Sequence, residues 1–318
     1  MPRQITIGGL DPATLAAETL ALPVLPGMTA LPIIRDALDH AVTQRKGAVV
    51  IGAKGMGKTM ARGLAVDEHH EAEADREDAD GSYEPRRLVS VLAPCAASPR
   101  DVYVDLHTAI IDATPATRVH GRQKTLGELR HSLLLSAAEE GVVAIVLDEC
   151  ERLSPEGATV LRDLLSGAEE MGRGGRAGAY VRPAGLGLLM LGTPEFRVKI
   201  ERSSEAGQRW AHCAAIPPLA REEIPPIYLT YFPKFHEAAL DMGTHVWHEV
   251  VTDRVLRGRP TVSLRLIDTH AREYYRLLVR NGGATYDRRT APFDLDLFAY
   301  SANEANWTIT PAASRQAA

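Results

Sequence analysis

One stretch of eight residues, from Gly52 to Thr59, constrains the fold of this chain more than any other. Its sequence, GAKGMGKT, meets the pattern G-x-x-x-x-G-K-[ST] at every fixed position. The glycines allow a tight turn and a close approach of the main chain to a ligand, because they carry no Cβ atom. Backbone N–H groups in such a turn form a concavity that holds phosphate oxygens. The stretch therefore predicts a phosphate-binding loop.

The residues on both sides of this loop favour the same interpretation. Residues 47–51 form a short apolar run typical of a buried strand, and residues 60–65 are compatible with a helix. Strand, loop and helix are the order that the pattern requires, whereas a chance glycine-rich turn, the alternative, requires no such context. We therefore expect a nucleotide to contact Gly52, Ala53, Lys54, Gly55, Met56, Gly57, Lys58, Thr59 and Met60.

A second apolar run, residues 142–147, ends in two adjacent carboxylates, Asp148 and Glu149. Such a run is typical of a central parallel strand that is covered on both faces. Downstream of a phosphate loop, Asp148 is placed to hold Mg²⁺ together with the Thr59 hydroxyl, and Glu149 to polarise an attacking water. Lys58 would bring positive charge to the terminal phosphates. The alternative is a strand that simply ends at an acidic helix cap.

The pattern along the chain predicts an α/β domain followed by a smaller helical one. Residues 1–30, punctuated by proline and glycine, are interpreted as an N-terminal arm, and residues 31–220 alternate strands with helices. Residues 221–282 are predicted to be a helical lid, with helices over 243–255 and 261–279. Residues 283–318 form a tail too aromatic for an inert linker, which we expect to dock on its own core or on a partner.

Charge and cysteine content limit what the chain can do. The 36 basic and 41 acidic residues give a formal charge of −5, so contact with DNA would need a local basic patch or a face built by several subunits. Three scattered cysteines indicate a reduced, cytoplasmic compartment, and we expect no membrane segment. The acidic stretch 66–81, which contains His69 and His70, is expected to be a solvated helix end running into an exposed loop rather than a metal site.

Several further polar residues are candidates for the nucleotide site. Thr193 ends the apolar run that begins at residue 188, where it could sense a terminal phosphate or merely cap the strand. Among Arg197, Arg202 and Arg209, one is expected to reach the nucleotide of a neighbouring subunit. Arg265 is a candidate contact from the helical region, although an exposed arginine on that helix is the simpler alternative.

The order of these elements resembles that of the AAA+ ATPases, which implies a P-loop AAA+ parallel sheet flanked by helices and followed by a small helical lid. Within that family, three features look like the transposition regulators of the TnsC, TniB and Mu phage B protein type. They are LGTPE at residues 191–195, QR at 208–209 ahead of IPPL at 216–219 and EE at 222–223, and the compact size of the chain.

The resemblance implies particular cofactors and partners. ATP would be hydrolysed with Mg²⁺ between subunits of a homo-oligomeric ring or filament on double-stranded DNA, and the assembly would recruit a transposase, with a target-selection protein as a further candidate partner. Thr193 would be the first sensor, Arg209 the residue that reaches into the neighbouring subunit (Arg202 as runner-up) and Arg265 the second sensor. DNA would be held by Arg118, Arg122, Lys124 and Thr125.

Two other classes of function stay open from the sequence. The first is an AAA+ motor or loader of another kind, such as a replication-helicase loader or a secretion-linked ATPase. The second is a nucleotide-binding scaffold with little turnover, against which the intact Glu149 argues.

Overall fold

The computed structural model describes residues 29–95, 98–111, 125–173, 185–202, 210–257, 259, 261–282 and 292–308. This part of the chain divides into two compact units, an α/β unit at Thr29–Pro217 and a helical unit that begins at Pro218. Each unit is described in turn.

A five-stranded parallel sheet forms the centre of the α/β unit. Its strands, β1 (Gly47–Ile51), β2 (Arg87–Leu92), β3 (Val142–Asp148), β4 (Gly187–Gly192) and β5 (Trp210–Ala215), lie in the order β2-β3-β4-β1-β5. All four strand pairings are parallel. Every residue of β1, β3 and β4 is buried, as expected for parallel strands covered on both faces. The predicted α/β sheet with a central strand ending at Asp148 is confirmed.

Six helices accompany this sheet among the described residues. They are α1 (Ala30–Gln44), α2 (Lys58–Ala79), α3 (Pro99–Ile111), α4 (Leu126–Glu139), α5 (Pro155–Arg173) and α6 (Pro194–Arg202). Side-chain caps fix three of their starts, and ahead of α5 the Ser154 hydroxyl oxygen accepts the Gly157 N–H at 2.9 Å. Ser98 Oγ accepts the Asp101 N–H at 3.3 Å ahead of α3, and Thr125 forms a capping box with Glu128 at the start of α4.

Close contact between α1 and β4 depends on a glycine. A Cβ atom built at Gly187 would lie 2.0 Å from the carbonyl oxygen of Ala41, a distance that real side chains do not reach. The glycine lets the helix backbone approach the strand directly, and that approach fixes α1 beside β4, the strand that Thr193 follows.

The acidic stretch after the phosphate loop differs from its prediction. Helix α2 continues through Ala79, so residues 66–79 are helical rather than a helix end running into a loop. Glu73 is buried on this helix, where its carboxylate accepts hydrogen bonds from the Tyr83 hydroxyl (2.6 Å) and the Arg86 N–H (2.7 Å). These bonds hold the connection to β2 against the helix and stabilise the last turns of α2.

The helical unit contains five α-helices among the residues described. They are α7 (Ile224–Tyr231), α8 (Phe235–Met242), α9 (Thr244–Leu256), α10 (Leu264–Gly282) and α11 (Leu295–Thr308). The two helices predicted near 243–255 and 261–279 are present as α9 and α10, whereas α7, α8 and α11 were not predicted. Phe232, Phe235, Tyr274 and Phe298 form its aromatic core.

The tail packs its helix α11 on the other helices of this unit. Phe298 and Ser301 are fully buried, and Ser301 Oγ lies 2.8 Å from Nε2 of the buried His270. The described part of the tail is therefore a structural element of the helical unit. No helix in the described ranges combines the length and hydrophobicity needed to cross a membrane.

Candidate functional site

Three of the predicted site segments meet at one edge of the sheet, because β3, β4 and β1 are parallel neighbours. Asp148 ends β3, Thr193 follows β4, and the phosphate loop follows β1. Gly52 N–H donates to the carbonyl of Gly192 (3.0 Å), which fastens the start of the loop to the end of β4. The carboxyl edge of an open parallel sheet is where such folds bind their ligands.

The loop has the conformation that its glycines permit. Gly55 and Gly57 both have φ near +80°, in the left-handed region that favours glycine. Lys58 then begins α2, and its ammonium donates to the carbonyls of Gly52 (2.6 Å) and Ala53 (3.0 Å). The Lys58 side chain thus folds back across the loop that a phosphate chain would occupy.

Lys58 is a buried cation among carboxylates. It is only 9% exposed, and this burial lowers the pKa of its ammonium group. The negative charges of Glu151, Asp148 and Glu149 oppose that shift, in decreasing order of effect. The lysine therefore lies in the electrostatic field of the acidic segment that follows β3.

Asp148 is almost completely buried and contacts two groups. It is 1% exposed, and its Oδ1 accepts the N–H of Glu149 at 2.8 Å. Its Oδ2 lies 3.3 Å from Nη1 of Arg62, an ion pair without the alignment of a hydrogen bond. Arg62 is four residues after Lys58 on α2, so both cations project from the same face of that helix.

Glu149 adopts an unusual conformation for a residue with a side chain. Its φ and ψ are 53° and 43°, in the left-handed region. This conformation costs a residue with a side chain about 1–3 kcal/mol, and residues that adopt it cluster at functional sites. Its side chain is 51% exposed, and Oε2 pairs with Nη1 of Arg152 at 3.2 Å. In this structure the carboxylate is held by Arg152 on the following 3₁₀ turn (Cys150–Arg152).

Glu151, on the same turn, connects β3 to β4. Its Oε2 accepts the N–H of Thr193 at 3.2 Å. The ammonium of Lys199, on α6, donates to the carbonyls of Glu151 (2.6 Å) and Leu153 (2.9 Å) and fixes the turn. Thr193 itself is buried, and its hydroxyl has no hydrogen-bond partner in the described part of the chain.

The residues at this edge fit a nucleotide with Mg²⁺. Buried polar atoms normally have hydrogen-bond partners, so the unpaired Thr193 Oγ1 and the poorly satisfied Asp148 Oδ2 leave unused capacity beside the loop. Mg²⁺ prefers one or two protein oxygens plus water and phosphate, which suits Asp148 and the exposed Thr59. The described ranges contain no cluster of three or more His, Cys, Asp or Glu residues that could hold a metal ion through protein side chains alone.

Other predicted site residues are only partly placed. Arg118, Arg122, Lys124 and Arg209 lie outside the described residues. The Thr125 hydroxyl is used in the cap of α4, where it accepts the Glu128 N–H at 3.3 Å. Arg202 ends α6, and Arg197 on that helix pairs with Glu201. Arg265 is exposed in the first turn of α10. Their roles stay predictions.

Sequence reasoning missed four residues of this site: Arg62, Glu151, Arg152 and Lys199. A signal existed for Arg62, because its spacing from Lys58 places it on the same face of a helix. Glu151 could have been noticed as a third acid just after the strand. The contacts of Arg152 and Lys199 depend on the 3₁₀ turn, which no pattern in the sequence predicts.

Comparison with known proteins gives a family and a fold. Residues 42–200, half of the chain, match the family model described as AAA domain. Searching the curated proteins gave no match.

Three solved structures share the fold at low sequence identity. The ORC2 protein of Aeropyrum pernix, in ADPNP-ADP complexes, is 16% identical with a TM-score of 0.58, covering 89% of this chain and 69% of that chain. The ORC1 protein of Aeropyrum pernix in complex with DNA is 18% identical with a TM-score of 0.53 (92% and 67%). CDC6P from Pyrobaculum aerophilum is 14% identical with a TM-score of 0.54 (82% and 64%).

Proposed function

We propose that this chain, which belongs to the AAA domain family, is a switch that assembles on double-stranded DNA with ATP and recruits or activates a transposase. As a member of that family it is an ATPase with ATP and Mg²⁺ as cofactors. One observation carries the nucleotide part of the proposal: the glycine loop, the buried Asp148 and the unpaired Thr193 hydroxyl meet at one edge of the sheet.

Each residue of this edge has a proposed role. Main-chain N–H groups of residues 52–58 cradle the phosphates, and Lys58 exchanges its bonds to the loop carbonyls for bonds to terminal phosphate oxygens. Asp148 and Thr59 hold Mg²⁺, which neutralises charge on the phosphates when bound. Thr193 offers its free hydroxyl to the terminal phosphate.

Glu149 would activate the attacking water. Its carboxylate accepts the proton of that water as the oxygen attacks the terminal phosphorus and the bond to ADP breaks. Glu149 must first leave Arg152, because an ion-paired carboxylate on an exposed turn is oriented by its partner. Glu149→Gln is therefore expected to bind ATP but accumulate ATP-bound oligomers. Wild-type turnover in that variant would assign the water to another residue.

Contact with DNA is proposed on two grounds. Arg118, Arg122 and Lys124 concentrate positive charge in a chain of net charge −5. In addition, the ORC1 protein that shares this fold is described in complex with DNA. Contacts from such residues to phosphates are independent of base sequence and sensitive to salt.

Recruitment of a transposase is the most specific part of the proposal. It rests on the residues that resemble the transposition regulators, LGTPE at 191–195 and the pair Gln208-Arg209 ahead of IPPL. By the same resemblance, Arg209 reaches the nucleotide of a neighbouring subunit, with Arg202 as runner-up, and Arg265 contacts nucleotide from the helical unit.

Electron microscopy of the chain with ATP, with and without duplex DNA, tests the proposal. We expect rings or filaments that require both ligands. Replacing Arg122 and Lys124 with Ala should weaken DNA binding equally across sequences and reduce the slope of log affinity against log salt by about two. Arg254 and Arg257, both exposed, provide a control pair with the same loss of charge. Oligomers that form without DNA would favour the loader or motor alternative.

A further inference from the structure

Glu151 faces the nucleotide edge of the sheet, although it is not one of the two acids expected to do the chemistry. Its carboxylate reaches across from the turn after β3 to the end of β4 and accepts the Thr193 N–H at 3.2 Å. Glu149, by contrast, is half exposed and paired with Arg152. Of these two glutamates, Glu151 is therefore the one that contacts Thr193.

The bond to Thr193 occupies a position that a helix cap normally fills. Thr193 precedes α6, and its carbonyl accepts the N–H groups of Phe196 (2.9 Å) and Arg197 (3.4 Å). In a capping box, the N–H of the cap residue bonds to a Glu or Gln three residues ahead in the same helix. That position is Phe196 here, whose side chain cannot accept a hydrogen bond, and Glu151 supplies the carboxylate from the turn after β3.

The negative charge of Glu151 also stabilises the charged form of Lys58 at the end of the phosphate loop. Of the acids near Lys58, Glu151 does most to oppose the lowering of the pKa of that lysine by burial. Lys199 holds the turn that carries Glu151 by two hydrogen bonds to its carbonyls, so the position of the carboxylate is fixed from the α6 side as well.

We propose that Glu151 is a positioning residue of the ATPase: by accepting the Thr193 N–H, it directs the unpaired Thr193 hydroxyl toward the terminal phosphate. A threonine whose main chain is held can offer its hydroxyl without reorganisation, which is the condition under which a hydrogen-bond donor assists a reaction. This inference rests on the proposed site, in which Lys58 and Thr193 contact the phosphates.

Steady-state hydrolysis by a set of variants tests the proposal. Glu151→Ala should lower kcat by about tenfold to a hundredfold, because loss of the bond lets the hydroxyl move. ATP affinity and thermal midpoint should change little, since the loop remains intact. Glu151→Gln keeps an acceptor oxygen and should restore kcat to within about threefold of wild type. Glu156→Ala, an exposed acid in the first turn of α5, is the control and should leave kcat unchanged.

A double-mutant cycle with Thr193→Val shows whether Glu151 acts through that residue. The valine variant should lose a similar factor in kcat, and Glu151→Ala should then cost nothing further. If Glu151→Ala fails to fold, Glu151→Gln in both backgrounds still decides the question, since a kcat as low as that of Thr193→Val would overturn the proposal. Additive effects, or wild-type kcat in Glu151→Ala, would do the same. Failure of the underlying site has a separate signature, undiminished ATP binding by Lys58→Ala.

Discussion

His270 makes the stability of the helical unit sensitive to acid. The side chain is 2% exposed, and its Nδ1 lies 2.5 Å from the Tyr228 hydroxyl. Its Nε2 lies 3.1 Å from the carbonyl of Phe298, which can only accept, so Nε2 carries the proton and Nδ1 accepts from tyrosine. All the hydrogen bonds of the ring are therefore made in the neutral form, and they join α7, α10 and α11.

The magnitude follows from the shift in the pKa of this group. Burial lowers the pKa of His270 from 6.5 to about 4. Between pH 6.5 and about pH 4, His270 is protonated in the unfolded chain but neutral in the folded chain. The free energy of unfolding therefore decreases as the pH falls from the unfolded pKa towards the folded pKa. At roughly 1.4 kcal/mol per pH unit, the loss between pH 7 and pH 5 is about 2 kcal/mol.

Urea unfolding at the two pH values measures this loss. Trp247, fully buried in α9, reports on the helical unit when Trp210 and Trp307 are replaced by Phe. His270→Gln in the same background is the matched control, because glutamine does not titrate. Between pH 7 and pH 5, the histidine protein should lose about 2 kcal/mol more than the glutamine protein. Equal losses in the two proteins would refute the reasoning.

Three further predictions concern the α/β unit. Lys58→Ala should abolish ATP binding in calorimetry, and tight binding would refute the assignment of the loop. Arg62→Met should tighten Mn²⁺ binding in the presence of ADP by about threefold to tenfold, because the guanidinium no longer competes with the metal for Asp148. Electron spin resonance measures the Mn²⁺ affinity, and weaker binding by the variant would mean that Arg62 holds the carboxylate in place. Gly187→Ala should cost more than about 3 kcal/mol in urea unfolding, whereas Gly63→Ala, with open space around it, should be neutral or stabilising; similar stabilities would contradict the close approach.

The sequence was sufficient for the parts of the fold whose signal is local. The runs that became β1, β3 and β4 are continuous and apolar because both faces are covered, and this pattern needs no knowledge of neighbours. Helix α7 escaped prediction because its sequence, IPPIYLTY, begins with prolines that resemble a break. Proline is tolerated in the first turn of a helix, where its missing N–H has no partner to lose.

The contacts that organise the site depend on residues distant in sequence, so no local pattern could predict them. Glu151 meets Thr193 across 42 positions, since β3 and β4 are neighbours only in the folded sheet. In the sequence, Glu73 cannot be distinguished from the other acids of a charged stretch. It is buried because the chain turns back after α2, and the Tyr83 hydroxyl and the Arg86 N–H donate to its carboxylate. The glycine pattern predicted where the loop lies, but not that Arg62 would pair with Asp148.

A structure of the chain with Mg²⁺ and a non-hydrolysable ATP analogue is the most direct test of the proposed site. We expect phosphates within the loop at residues 52–59, the Lys58 ammonium released from the Gly52 carbonyl, and the Thr193 hydroxyl bonded to the terminal phosphate. Analogue bound elsewhere on the chain, or Asp148 and Thr193 turned away from its phosphates, would contradict the account.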